Sequence, residues 1–308
     1  MRDFLDLDHV GPEALRAIVD EAKRRKGARA RRPKGAADDD APLEGHILAS
    51  IFEKSSTRTR VSFEIAMRQL GGSATTLTSA DMQLGRGESI EDTARVLSRY
   101  VDVIQIRTDQ HQKLLDMAGA ASVPVINGLT DDSHPCQIVA DIMTVEERRG
   151  GSVKDTVWAW LGDGNNVCHS LIEAAGLLGF TLRLSTPAAY DPDDRFVARA
   201  EARGGRIEVV RNPQDATKDA HVVVTDTFVS MGDRDRNKRM IALSPYQVTE
   251  AIMANARSDA IFLHCLPAHR GEEVAAEVFD GPQSAVFDEA ENRVHAQKAI
   301  LLWCLEKI

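Results

Sequence analysis

The chain has 308 residues, of which 43% are apolar and 28% charged. That ordinary globular composition excludes a disordered, collagen-like or disulfide-stapled chain, and at roughly 150 residues per domain it predicts two domains. With 38 basic and 47 acidic residues the net charge is −9, and aromatics are 5%, so neither a basic nucleic-acid coat nor a base-stacking platform is expected.

The opening stretch MRDFLDLDHVGPEAL carries acids where an export signal needs bases and an apolar run. Residues 12–26 then read as a helix, and 46–52 (HILASIF) as a buried strand. Val61, Ile65 and Ala66 stand at helical spacing and predict a helix over 57–70. Strand and helix alternate from there: strand 74–78, helix 89–99, strand 101–107, helix 110–119, strand 123–126. A long helix over 135–149 is stopped by Gly150-Gly151. A second series follows, with strands at 157–162, 180–185, 206–210, 221–225 and 260–265. Helices are expected between them at 166–178, 193–203 and 246–254, and the last helix at about 290–306.

Apolar strands alternating with helices predict parallel sheets covered on both faces. The expected fold class is α/β, with two doubly wound parallel-sheet domains linked by long helices. The first spans 1–149, with the C-terminal helix (about 290–308) packing back on it, and the second spans 150–289. No apolar stretch approaches the ~20 residues of a membrane helix. Cys136, Cys168, Cys265 and Cys304 form no C-x-x-C pair, so no zinc ribbon or redox motif is expected. A cytoplasmic protein with reduced thiols is the expectation. The segment RRKGARARRPKGAADDD (24–40) reads as a solvated loop whose basic and acidic blocks partly neutralise each other.

Chemistry concentrates where strands end. In FEKSSTRTRVSFE (52–64) a strand ends near Phe52 and a helix begins near Thr57. Helix N-termini beyond strand ends offer unpaired amides and partial positive charge. This one adds the hydroxyls of Ser56, Thr57 and Thr59 and the guanidiniums of Arg58 and Arg60, a donor set suited to phosphate oxygens. A cap alone needs one hydroxyl and neither arginine. Arg107 ends the strand VIQIR and should project into the same crevice. In DSHPCQIVADIMTVEE, His134 and Gln137 stand at a helix entrance, with Pro135 in a favoured first-turn position. An imidazole and an amide together suit a carbamoyl group, although His134 alone would more often be a capping histidine.

The second half offers LGDGNNVCHS (161–170). Gly162-x-Gly164 lacks the third glycine of a dinucleotide fingerprint, since Val167 stands there, so no nicotinamide cofactor is expected. Asn165 and Asn166 could hold a polar ligand or simply cap the helix. Asp226 ends strand HVVVT and could hold an ammonium or be a turn residue. Cys265 could be a structural thiol or a nucleophile. His264, its neighbour along a strand, should face the other way and make a poor base for it. His264 and His269 lack ligand spacing, and no metal is expected.

Taken together these segments resemble the aspartate/ornithine carbamoyltransferase family across nearly the whole chain. STRTR (56–60) and HPCQ (134–137) resemble its carbamoyl phosphate signatures, while DTFVSMG (226–232) and HCLPA (264–268) resemble the ornithine branch. The resemblance implies that Ser56, Thr57, Arg58, Thr59, Gln83, Arg107, His134, Gln137, Cys265, Leu266 and Arg293 bind carbamoyl phosphate. It implies Asn166, Asp226, Ser230 and Met231 for ornithine, with Arg107, His134, Asp226 and Cys265 catalytic. It further implies a homotrimer in arginine metabolism with no cofactor, no nucleic-acid partner and no membrane partner. The family pattern is departed from at Phe228, where Trp is common, and in the long charged loop 24–44. Transfer to N-acetylornithine, putrescine or aspartate, or a non-catalytic phosphate-binding subunit, are the alternatives.

Overall fold

The structure is a computed structural model that describes residues 2–54, 56–78, 87–230 and 235–308. Two expected site residues, Gln83 and Met231, lie outside the described residues. The chain divides into two compact units, Met1–Met143 with Glu291–Ile308, and Thr144–Ala290.

Unit 1 holds a four-stranded sheet of β1 (Ile47–Phe52), β2 (Ser73–Thr78), β3 (Val103–Arg107) and β4 (Val125–Leu129), in the order β2-β1-β3-β4. Unit 2 holds a five-stranded sheet of β5 (Val157–Leu161), β6 (Thr181–Ser185), β7 (Arg206–Val209), β8 (Val222–Thr225) and β9 (Ile261–His264), in the order β7-β6-β5-β8-β9. Every strand pair is parallel, so both units are α/β sheets of the expected class. Central strands read as continuous apolar runs because both faces are covered. The edge strands β2 and β7 instead leave residues exposed, which agrees with their Thr- and charge-rich sequences.

In unit 1, Ile51, Ile104 and Ile106 pack against Ala94, Leu114 and Met117 of the helices Ile90–Leu97 and His111–Ala120. Burial of each large aliphatic side chain contributes ~1.5–3 kcal/mol. In unit 2, Leu161, Val223 and Phe262 pack against Ile252, Met253 and Val278. No helix among the described residues is long and apolar enough to cross a membrane.

The strand order reverses direction once in each sheet, between β1 and β3 in unit 1 and between β5 and β8 in unit 2. Such switch points leave a crevice at the carboxyl ends of the strands. Phe52 pairs with Arg107 across the first, and Leu161 with Thr225 across the second. Both candidate clusters grow from these pairs.

Some elements differ from expectation. The last helix begins at Val286, and the helix expected over 246–254 is Glu250–Asn255. Val248 bridges to Val274 there, and Thr249 caps the helix by accepting from the Ile252 amide, so the start moves downstream. The 24–40 segment is organised by ion pairs. The helix Pro12–Ala28 follows a short first helix, Leu7–Val10, and its Arg25 reaches Glu21, Asp38 and Asp40. The fully buried Lys298 ammonium meets Asp38 at 2.6 Å.

Candidate functional site

On unit 1, Ser56 caps the helix Thr57–Gln69, its Oγ accepting from the Thr59 amide at 3.3 Å. Capping is therefore part of its role. Thr57 and Arg58 are exposed in the first turn, while Thr59 is buried. The Thr59 hydroxyl accepts from Arg107 Nη1 at 3.3 Å and from Arg293 Nη2 at 3.2 Å. Arg293 Nη1 donates to Gln137 Oε1 at 2.7 Å, and Gln137 Nε2 donates to the buried Asp141 at 2.8 Å. Gln137 is thereby oriented with its oxygen toward the arginine. Its Nε2 is engaged by Asp141, so a ligand carbonyl would compete for that donor.

His134 is buried just before the helix Pro135–Arg149. Burial, then the charges of Arg293, Arg107 and Arg58, push its imidazole well below the usual histidine range. It is neutral at physiological pH, so it can donate one N–H without adding charge. The same three guanidiniums make the region cationic. Arg60 does not join them, because it turns along the helix to Glu64 at 3.1 Å. The structure thus brings together Thr59, Arg107, His134, Gln137 and Arg293, with Ser56, Thr57 and Arg58 on the helix entrance beside them.

On unit 2, Asn165 caps the helix Asn166–Leu178, its Oδ1 accepting from the Val167 and Cys168 amides at 3.0 and 3.2 Å. Its Nδ2 donates to Asp226 Oδ2 at 2.7 Å. The other oxygen, Oδ1, accepts from the Cys265 thiol at 3.0 Å and from the Thr227 amide at 2.7 Å. Asp226 and Cys265 are therefore one cluster. Asn165 bridges to it, and Asn166 is the first helical residue. Ser230 is exposed, its Oγ 3.5 Å from Thr227 Oγ1. The loop after β8 is anchored by Arg239, which donates to the Phe228 carbonyl at 2.9 Å and pairs with Asp163.

Leu266 follows Cys265 in left-handed backbone, at φ 60°. Its amide donates to His264 Nδ1 at 2.9 Å, and His264 Nε2 faces Glu273 Oε1 at 3.3 Å, with both side chains fully buried. His264 thus engages its own loop and Glu273, and Cys265 engages Asp226. Among the described residues two groups, Asp226 with His264 and Cys265, and His269 with Glu272 and Glu273, bring possible ligand atoms within 4.8 Å of one another.

The residue missed from sequence is Asp141, whereas Asn165 was read with Asn166 as a ligand or a cap. Asn165 had a readable signal, since the asparagine just outside a helix is the preferred cap. Asp141 had only its spacing from Gln137, one helical turn on, which matches many solvent pairs.

Two parallel α/β units, each gathering polar side chains at a switch point, define a protein that handles small polar molecules. Residues 2–147 match the family model described as the carbamoyl-P binding domain of aspartate/ornithine carbamoyltransferase, and residues 154–304 match its Asp/Orn binding domain. The chain is 60% identical to an ornithine carbamoyltransferase of Rhizorhabdus wittichii over 307 residues, covering 100% of this chain and 99% of that protein. It is 55% identical to one from Caulobacter vibrioides, covering 100% and 98%. Among solved structures, the Pyrococcus furiosus ornithine carbamoyltransferase superposes with a TM-score of 0.93 at 46% identity, covering 100% and 98% of the two chains. An anabolic ornithine carbamoyltransferase from Campylobacter jejuni gives 0.92 at 36% identity, covering 100% of each chain. The chain belongs to the aspartate/ornithine carbamoyltransferase family, whose members are carbamoyltransferase enzymes.

Proposed function

We propose that this protein transfers the carbamoyl group of carbamoyl phosphate to the δ-amine of L-ornithine, giving L-citrulline and phosphate. The observation that carries the reading is the Thr59 hydroxyl held between the Arg107 and Arg293 guanidiniums beside a neutral His134. That arrangement suits a dianionic phosphate joined to a carbonyl.

In this reading unit 1 is the carbamoyl phosphate domain and unit 2 the ornithine domain. Ser56, Thr57, Arg58 and Thr59 take the phosphate, with Gln83 added by family resemblance. Arg107 reaches both phosphate and carbonyl oxygen, and His134 and Gln137 take the carbamoyl group. Asn166, Asp226, Ser230 and Met231 hold ornithine, while Cys265, Leu266 and Arg293 are assigned to carbamoyl phosphate by family resemblance. Attack by a neutral δ-amine forms the C–N bond and makes the carbon tetrahedral. The oxyanion that develops is stabilised by Arg107, His134 and Thr59, and collapse breaks the C–O bond to release phosphate. An alkyl amine has a pKa near ~10.4, so it must lose a proton before attack. Asp226 alone favours the charged ammonium, whereas desolvation favours the neutral amine. The Cys265 thiol, hydrogen-bonded to Asp226, stands where it can organise that proton's departure.

The parallel-sheet units and the 60% identical relative support this reading over a binding protein without turnover. Cytoplasmic location, a homotrimer and a place in arginine metabolism belong to the same proposal. The test is a citrulline assay on purified protein with carbamoyl phosphate and L-ornithine, run in parallel with N-acetylornithine, putrescine and aspartate. Citrulline with ornithine alone is the expected result. Phosphate release with a different acceptor, or ligand binding without product, would overturn it.

A further inference from the structure

The basic segment after the helix Pro12–Ala28 is not used by the proposed reaction. On unit 1 it forms one wall of a cavity of about 490 Å³, closed by the helix Thr57–Gln69 and the C-terminal helix. The volume lies in the range of about 300–1,000 Å³ usual for small-molecule sites. Gln69 lines it and stands ten residues beyond Thr59, about 15 Å along the same helix. The cavity is therefore distinct from the cluster around Thr59.

Its wall carries Lys26, Arg29, Arg31, Arg32 and Lys34 against a single lining carboxylate, Glu291. Arg29 pairs with Asp38, Arg32 with Asp39, and Lys34 with Glu291 at 3.1 Å. Asp38 is shared with Arg25 and Lys298. The Lys34–Glu291 pair is largely exposed, so solvent screens it and a ligand can displace it.

A second observation is independent of this surface charge. His295 lines the cavity and is only 6% exposed, yet its Nδ1 has no hydrogen-bond partner. Burial, with Lys298 and Lys26, pushes its imidazole down to about 4, outweighing the opposing charge of Glu291. The imidazole thus sits neutral in a positive field, able to serve as a hydrogen-bond donor. Ile65 and Val294 add an apolar patch to the same wall.

We propose that this cavity binds a small organic polyphosphate. The forked guanidiniums suit phosphate oxygens, and the apolar patch suits the organic body. Arg293 lies between Glu291 and His295 on the C-terminal helix, so an occupant touches the element that also carries a residue of the Thr59 cluster.

The test is isothermal titration of the full-length Arg58→Ala protein with ATP and, separately, with tripolyphosphate. Arg58→Ala disables the phosphate cradle of the proposed reaction, so heat from that site is removed. One binding event is expected, tighter for ATP. Adding Arg31→Glu and Lys34→Glu is expected to weaken it about tenfold or more, a loss of about 1.4 kcal/mol. Lys154→Glu with Lys218→Glu, the same charge change on exposed residues of unit 2, is expected to leave it unchanged. Absence of binding to the Arg58→Ala protein, or equal weakening by both charge reversals, would overturn the site. Tripolyphosphate binding as tightly as ATP would overturn its preference for an organic ligand. Citrulline formation by the Arg31→Glu, Lys34→Glu protein with Arg58 intact separates this outcome from failure of the proposed reaction.

Discussion

Thr59→Val tests the unit 1 cluster most directly, because valine keeps the shape and replaces the hydroxyl with a methyl group. Arg107 Nη1 and Arg293 Nη2 lie 3.3 and 3.2 Å from Thr59 Oγ1, so they are at most the sum of these, 6.5 Å, apart. Two unit charges at about that separation repel by roughly 2.5 kcal/mol at an effective dielectric of ~20. The hydroxyl oxygen is the shared acceptor that makes this arrangement tolerable. Hydrogen bonds to charged groups contribute ~1.5–3 kcal/mol each, and at these lengths both belong to the lower end. A loss of about 3 kcal/mol is expected without ligand. For a domain of this size ~2–4 °C accompanies each kcal/mol, so the melting temperature should fall by roughly 6–12 °C. With the shared acceptor gone, turnover should fall by about 100-fold or more, as for a lost oxyanion donor. Thr59→Ser restores the acceptor and should return both quantities close to the parent. Calorimetry and a citrulline assay read the two effects. A valine variant with parental melting and turnover would refute the shared-acceptor argument.

Arg58→Ala should leave the melting temperature unchanged, since Arg58 is exposed, and abolish phosphate binding in a calorimetric titration. Cys265→Ser should lower ornithine affinity or turnover while leaving carbamoyl phosphate affinity intact; equal steady-state constants would return the thiol to a structural role. Gly164→Ala should destabilise unit 2 by more than ~2 kcal/mol in a thermal melt, because a Cβ there falls 2.1 Å from the Pro192 nitrogen. The acid side of the stability profile should carry His295, which faces Lys298, Lys26, Arg29 and Glu291. Its folded pKa of about 4 lies below the unfolded value of 6.5, so the unfolded chain binds the extra proton. Stability is retained above pH ~6.5 and lost as pH falls toward about 4, by roughly 3 kcal/mol in all. In denaturant melts, His295→Gln should flatten that slope.

How much of this was legible in the sequence depended on whether local rules had a tertiary competitor. Asn166–Leu178 was readable because its entrance asparagines, apolar run and closing glycine agree. The expected start of the last helix falls about four residues late, although the Gly281-Pro282 turn signal stands just ahead of Val286. The helix after Val248 began late because a long-range bridge to Val274 took the residues that helical periodicity had claimed. The rule that strand ends meet helix entrances placed Arg107 near Thr59, and β1 and β3 do set it opposite Phe52 with its Nη1 donating to Thr59 Oγ1. The same rule overreached at Arg60, where Glu64 one turn away won the guanidinium.

The G-x-G beginning at Gly162 shows what separates a motif from its cause. Its missing third glycine argues against a dinucleotide loop, but leaves the first two without a purpose. The structure supplies one in packing. Gly162 takes φ 119° beneath the Phe228 ring, where an added Cβ would fall 2.9 Å from that ring. Gly164 lets the Asp191–Pro192 backbone close over the turn. With those two approaches made, Asn165 is delivered to the helix entrance at the height where its Oδ1 caps and its Nδ2 holds Asp226. The glycines therefore act on the acceptor side through chain geometry. Phe228 is the side chain for which Gly162 makes room.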